Sequence, residues 1–255
     1  MSVPRRAGNA QVYTGCAGWS LPRDNLPEFP GADSGTHLQR YAARLNAAEI
    51  NSSFYRPHQR ATYARWADSV PAEFRFSVKL PKTITHEQRL HACGPLLETF
   101  LSQASALGNK LGCLLVQLPP SLALDGKTAL RFFKVLRAQH GGPVALEPRH
   151  ASWFAPDVNA ALAKWKIARV LADPVLHEAG RAPGGWPGLV YVRPHGSPRM
   201  YYSAYAPDML EALSVKLHEA AGSGAQAWCM FDNTASGAAV GNALDVVRWL
   251  ENARR

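Results

Sequence analysis

Along the chain, short runs of apolar and β-branched residues alternate with longer stretches in which apolar positions recur every three or four residues. The first pattern suits strands and the second amphipathic helices. Strands are expected over 11–16, 46–51, 73–79, 112–118, 143–149, 168–173, 188–195 and 226–233. Helices are expected over 36–45, 59–68, 95–107, 127–138, 156–164, 207–221 and 239–252. Pro95 and Pro156 fall in first helical turns, where the missing N–H costs little. Val240, Leu244, Val247 and Leu250 form an apolar stripe on the last helix. From Pro174 to Pro187 the chain is rich in Gly and Pro, and an irregular loop is expected there in place of a helix. This alternation, at 255 residues, predicts an α/β protein: a single TIM-like (β/α)8 barrel of parallel strands over 1–255, its core at about 11–252.

Side chains on a strand alternate between two faces, so one parity faces the barrel interior and the other the helices. Phe74, Phe76 and Val78 form a helix-facing set that leaves Arg75, Ser77 and Lys79 inward. Ala47, Glu49 and Asn51 share a face, as do Leu115 and Gln117, then Ala145, Glu147 and Arg149, and Tyr191, Arg193 and His195. Strand after strand is thus expected to end on an inward polar residue: Glu49, Lys79, Gln117, Glu147, Asp173, His195 and Asn233. The C-terminal strand ends of such a barrel form the mouth that carries the active site. Packing alone does not call for such a ring, because buried charges are costly unless paired. For any single member, pairing such as Lys79 with Glu147 is the structural alternative.

Charge changes the picture toward anions. Lys and Arg number 28 against 19 Asp and Glu, a net charge of +9. Arg, the more frequent of the two, makes forked contacts with phosphate or carboxylate. No basic block with interleaved aromatics marks a nucleic-acid motif, so charge alone supports only weak, salt-sensitive binding. No apolar run is long enough to span a membrane, and no apolar stretch follows the basic first residues, so a cytoplasmic protein with no membrane partner is expected. Cys16, Cys93, Cys113 and Cys229 are too far apart for a zinc or redox pair and read as structural thiols.

Several segments together carry a family resemblance: Gly15-Cys16-Ala17-Gly18-Trp19, Glu49 through Tyr55, Phe74 through Lys79, Ile84-Thr85-His86, Val116 through Pro120, Glu147 through His150 with Trp153, Tyr191 through Gly196, and Asn233-Thr234-Ala235 with Gly237-Ala238-Ala239. In these the chain resembles the YecE-like family, domain of unknown function 72, over nearly its whole length. The resemblance implies a TIM-like barrel, distantly similar to the endonuclease IV and sugar isomerase barrels, and implies no reaction. Relatives usually carry Thr or Ser at Cys16 and commonly Phe at Pro148.

The residues themselves suggest roles. Glu49, Glu147 and His195 are candidates for proton transfer, and Lys79 for an electrostatic anchor or a Schiff-base nucleophile. His86 and His150 stand in loops, His150 with the less secure orientation. Arg149 and Arg193 would neutralise an anion, and Asn51, Gln117 and Asn233 would orient it. Thr234 belongs to a small-residue turn into the last helix, which reads either as a phosphate cradle opposite His195-Gly196 or as a capping turn. Trp19, Phe54, Tyr55, Trp153, Tyr201, Tyr202 and Tyr205 are loop aromatics that would stack on a sugar or base, Trp153 alternatively packing on the rim. Cations dilute the inward Asp, Glu and His, so no cofactor or tightly bound metal is expected, a divalent ion being the alternative. The leading expectation is an enzyme, of hydrolase or isomerase type, that binds a phosphorylated or anionic organic ligand at the mouth. The alternatives are an endonuclease IV-like phosphodiesterase acting on nucleic acid and a non-catalytic scaffold that binds nucleic acid or a partner.

Overall fold

The structure is a computed structural model that describes residues 12–253. The basic ends and the start of the first expected strand at Gln11 lie outside the described residues. Ten strands form one sheet: β1 (Val12–Ala17), β2 (Ala47–Ile50), β3 (Arg75–Lys79), β4 (Leu111–Gln117), β5 (Val144–Glu147), β6 (Ile167–Arg169), β7 (Leu171–Asp173), β8 (Gly184–Gly185), β9 (Leu189–Pro194) and β10 (Gln226–Phe231). Their spatial order is β7-β9-β10-β1-β2-β3-β4-β5-β6-β8. Every pair is parallel except β6 with β8.

The expected sixth strand is broken at Val170 into β6 and β7. Its first half bonds to β5 and its second to β9. One interrupted strand therefore joins the two ends of the sheet and gives a nearly closed, TIM-like barrel with eight strand positions. The Gly/Pro-rich stretch after it is less irregular than expected. It forms a helical turn at Glu178–Gly180 and the short β8, which lies antiparallel on β6.

Seven α-helices surround the sheet: α1 (His37–Ala42), α2 (Arg60–Asp68), α3 (Gly94–Ala104), α4 (Gly126–Gln139), α5 (Pro156–Lys164), α6 (Pro207–Gly222) and α7 (Ala238–Asn252). Thr36 and Gln39 close a capping box on α1 and the Asp125 side chain caps α4, both satisfying amides the helix leaves free. Pro95 and Pro156 stand in the first turns of α3 and α5.

Two apolar layers follow from strand parity. Phe74, Phe76, Val78, Val116, Leu146 and Phe231 face the helices, and each large side chain buried there contributes roughly 1.5–3 kcal/mol of transfer free energy. Cys16 belongs to this outer layer, so this departure from the family pattern does not face the interior. The inner layer fills the lower barrel with Tyr13, Ala47, Cys113, Leu115, Tyr191, Trp228 and Met230. Trp228 stacks on Tyr191 with ring centroids 6.0 Å apart. Gly112 makes room for it, because a Cβ there would meet the Trp228 ring at 2.5 Å. This plug is the floor of the barrel, and the polar residues stand above it.

Candidate functional site

The buried polar cluster begins at the C-terminal end of β9. Period two lifts the inward face from Tyr191 to Arg193 to His195, out of the apolar plug and into the mouth. The Arg193 guanidinium is fully buried. It donates from Nε to Glu49 Oε2 at 2.9 Å, from Nη2 to Glu49 Oε1 at 2.5 Å and from Nη1 to Glu147 Oε2 at 2.9 Å. Nη2 also stands 3.2 Å from Asp232 Oδ2. Two strands, β2 and β5, and the residue just after β10 thus deliver three carboxylates to one arginine, which carries the charge between them. The Tyr191 hydroxyl, 3.0 Å from Glu49 Oε2 and 2.8 Å from Ser77 Oγ, ties this cluster to the layer beneath.

His195 is buried between two of these acids. Its Nδ1 lies 3.0 Å from Asp232 Oδ2 and its Nε2 3.1 Å from Glu147 Oε1. Burial opposes protonation, but Glu147 and Asp232 outweigh it and raise the histidine above its ordinary value. With an acceptor on each nitrogen, the doubly protonated ring satisfies both bonds. Glu147 Oε1 also receives Gln117 Nε2 at 3.0 Å and Arg149 Nη2 at 3.2 Å. Burial alone would raise Glu147, but Arg193, His195 and Arg149 hold it well below the carboxylate range. A carboxylate so fully occupied is an anchor for its neighbours rather than a free base.

Lys79 differs from every other cation of the cluster. It ends β3 and is 5% exposed. Its ammonium rests 4.1 Å from the centre of the Phe54 ring, with no hydrogen-bond or ion-pair partner among the described residues. The alternative for Lys79, an ion pair with Glu147, is absent among the described residues. Burial, reinforced by Arg193 and only partly offset by Glu49, Glu147 and Asp232, brings its pKa down to about 8. His86 stands on the π-helical turn Thr83–Glu87 that follows β3, a feature often found at functional sites. Its ring packs edge-on against Phe54 at 4.9 Å, and its Nδ1 is 2.8 Å from Thr85 Oγ1. Burial and the Lys79 and Arg149 charges lower its pKa.

The structure brings Glu49, Lys79, Gln117, Glu147, Arg149, Arg193 and His195 together, with His86 beside them. It separates others. Asp173 lies on the outer face, because Ala168, Val170 and Ala172 take the inward parity of that strand; its Oδ1 accepts from the Tyr205 hydroxyl at 2.7 Å. Asn233 also leaves the ring, and its Nδ2 donates to Ser203 O and Asn242 Oδ1, both at 2.9 Å. The inward residue at that strand end is Asp232, which sequence reasoning passed over although Trp228 and Met230 set its parity. Trp153 is buried in the outer layer, where its Nε1 donates to Leu122 O at 2.9 Å. His150 caps a short helical turn through Ser152. Thr234 is exposed. In its turn the amides of Ala235, Gly237 and Ala239 already donate to the carbonyls of Tyr201, Thr234 and Asn233, so the capping reading describes this turn better than the phosphate cradle.

Two recesses flank the cluster. One, of about 480 Å³, is lined by Glu49, Asn51, Trp19, Ser20, His37 and Tyr55. Tyr55 is exposed beside it, and the buried Oδ1 of Asn51 has no hydrogen-bond partner among the described residues. The other, beside Glu147, Arg149 and His195, has room of about 20 Å³, enough for a water molecule. Tyr201 packs next to His195, the rings 5.8 Å apart, in a left-handed backbone conformation (φ 69°) that costs a tyrosine energy.

The fold and this buried charge cluster are those of a barrel protein with a polar C-terminal mouth. The chain belongs to the family described as protein of unknown function DUF72, which matches residues 13–255. UPF0759 protein YecE of Escherichia coli K12 is 29% identical over 168 residues, covering 64% of this chain and 59% of that protein. UPF0759 protein YunF of Bacillus subtilis is 28% identical over 152 residues, covering 57% and 53%. The matched stretches thus span under two thirds of these relatives' length. Among solved structures, a DUF72 family protein from Enterococcus faecalis V583 superimposes with a TM-score of 0.78 at 21% identity, covering 94% of this chain and 96% of that one. Another from Thermotoga maritima MSB8 gives 0.74 at 24% identity, covering 94% and 99%. These two likenesses concern the fold. Among the described residues, no helix is long and apolar enough to cross a membrane.

Proposed function

We propose that the barrel mouth binds a small phosphorylated or otherwise anionic organic molecule and acts on it as an enzyme. The observation that carries this reading is Lys79, a largely buried residue whose ammonium has no hydrogen-bond or ion-pair partner among the described residues. Glu49, Glu147 and Asp232 are neutralised by Arg193, Arg149 and the protonated His195, so Lys79 stands as a surplus positive charge. A buried uncompensated cation is costly, and a bound anion relieves that cost. Arg193, expected to contact the ligand, is instead fully engaged beneath it. Lys79 and the outward edge of Arg149 are the groups left to receive an anion, and the orphan Oδ1 of Asn51 suits a ligand hydroxyl.

Arg193 also weighs against a metal-dependent phosphodiesterase. Its guanidinium fills the space between three carboxylates where a divalent ion would otherwise be held. No metal or other cofactor is therefore part of this proposal.

The experiment is a thermal-shift comparison of wild type and Lys79→Met with sugar phosphates, nucleotides, short DNA and divalent metal salts. A ligand at about 100 times its Kd stabilises the native state by about 2.7 kcal/mol. Stabilisation of wild type by a sugar phosphate or nucleotide, absent in the variant, supports the proposal. Stabilisation by metal or DNA alone, equal in both proteins, replaces it with the nuclease or the basic scaffold.

A further inference from the structure

Lys79 has the placement of a nucleophile as well as that of an anchor. An amine that attacks a carbonyl needs a free lone pair, a water-poor surrounding and a nearby group to move protons. Lys79 is largely buried as a residue, and its Nζ makes no hydrogen bond among the described residues and packs on the apolar Phe54 ring. His86 packs on that same ring, and with Nδ1 engaged by Thr85 its Nε2 is the nitrogen left free. An unpartnered amine and an imidazole thus both pack on Phe54, close enough that the Lys79 charge acts on His86. The carboxylates of the mouth, which would otherwise clamp a lysine in its charged form, are drawn off by Arg193.

We infer that Lys79 forms a Schiff base with the carbonyl carbon of a phosphorylated aldehyde or ketone, with His86 moving the protons. This rests on the anion reading above only for the phosphate that brings the carbonyl to the mouth. The amine lone pair attacks the carbonyl carbon to form a C–N bond, and the carbonyl oxygen takes up a proton to give a carbinolamine. Loss of that oxygen as water leaves a C=N bond, so amine and carbonyl give imine and water with no change of oxidation state. His86 Nε2 accepts the proton shed by the nitrogen and returns one to the departing hydroxyl. The protonated imine carries the same single charge as the ammonium, so the balance of the mouth is kept.

The groups facing Lys79 agree with this chemistry. Burial and Arg193 on β9 favour the neutral amine, and Glu49 on β2, Glu147 on β5 and Asp232 after β10 oppose them; the result, about 8, leaves a usable fraction of free amine near neutral pH. His86, with its lowered value, is largely the neutral base.

The test treats the protein with dihydroxyacetone phosphate and cyanoborohydride and maps the reduced adduct by peptide mass spectrometry. Binding of glycerol 3-phosphate, which has no carbonyl, is measured alongside. The expected result is an adduct concentrated on Lys79, formed increasingly fast from pH 7 to about pH 8.5 and then levelling. In Lys79→Arg, which keeps the charge, trapping falls by about tenfold or more while glycerol 3-phosphate still binds. In His86→Gln trapping slows, a readout that a merely structural lysine would not give. Adducts spread evenly over exposed lysines overturn the inference. If glycerol 3-phosphate binds and no adduct forms on Lys79, the Schiff base falls and the anion site stands. If Lys79 is trapped but glycerol 3-phosphate neither binds nor competes, the nucleophile stands and the anion site falls.

Discussion

Arg193 grips Glu49 at two points, Nε to Oε2 at 2.9 Å and Nη2 to Oε1 at 2.5 Å, with both side chains fully buried. Such a pair is worth little against an apolar substitute, but removal of one partner leaves a buried charge that nothing compensates. Arg193→Met is expected to lower stability by about 3–5 kcal/mol, because Glu49, Glu147 and Asp232 lose their shared cation. Urea unfolding checks this. Adding Glu49→Gln to Arg193→Met is expected to restore part of the loss, and strict additivity of the two changes would show that the residues act independently.

The His195 clamp makes a contribution with a defined sign in pH. A histidine whose folded value is raised above 6.5 binds its proton more tightly in the native state. The stability this adds is fully present below about pH 6.5 and is lost as pH rises through the folded value. Glu147 and Asp232 act oppositely, since their lowered values add stability that disappears only as pH falls below the ordinary carboxylate range. His58, His86 and His140, lowered by burial, blur the raw profile, so the difference between wild type and His195→Gln isolates the clamp. That difference is expected to be largest near pH 6 and to shrink toward pH 9; a gap that widens with pH would contradict the double carboxylate contact.

Lys79 is expected to reduce stability in the absence of a ligand. Its pKa, brought down from 10.5 to about 8, means that at neutral pH the charged amine is less well solvated in the folded protein than in the unfolded chain. Lys79→Met is expected to raise stability by on the order of 1–3 kcal/mol at pH 7. The gain should fade as pH rises from 8 toward 10.5, where wild type loses the charge in both states. A destabilised variant in denaturant titrations would mean that Lys79 is a structural ion-pair partner.

Asn233 and Asn242 hold the loops over the mouth. Asn242 Oδ1 accepts from Asn233 Nδ2 at 2.9 Å and from the Tyr205 amide at 3.2 Å. Asn242→Ala leaves the Tyr205 amide without its acceptor and Asn233 Nδ2 with Ser203 O alone, and is expected to cost about 1–3 kcal/mol, with faster hydrogen exchange at Tyr205. Unchanged exchange there would show that the loop is held by other contacts.

The barrel was legible in the sequence because its two apolar layers need opposite strand faces, and Phe74, Phe76 and Val78 against Ser77 and Lys79 show that split directly. Parity correctly sent Glu49, Glu147, Arg193 and His195 inward. It says nothing of partners across the barrel, which is why Arg193 read as a ligand contact when it is the hub of an internal ion cluster. Strand six turns its one early polar residue, Arg169, toward Asn159 on α5 and keeps only Ala168, Val170 and Ala172 inward, so no polar residue marked its inner face, and its break at Val170 depends on two different neighbours. Asp232 was readable from Trp228 and Met230, but the strand was expected to run to 233, two residues past its end at Phe231, which put Asn233 in place of Asp232.

The central claim is that Lys79, largely buried and unpaired among the described residues, awaits an anion, and its own titration tests this most directly. Lysine-selective isotope labelling and NMR would follow the Lys79 Nζ with and without glycerol 3-phosphate. The account predicts a midpoint near 8 for the free protein and an upward shift when the phosphate compound is present, because a bound anion favours the ammonium. An ordinary lysine midpoint that the compound leaves unmoved would contradict it.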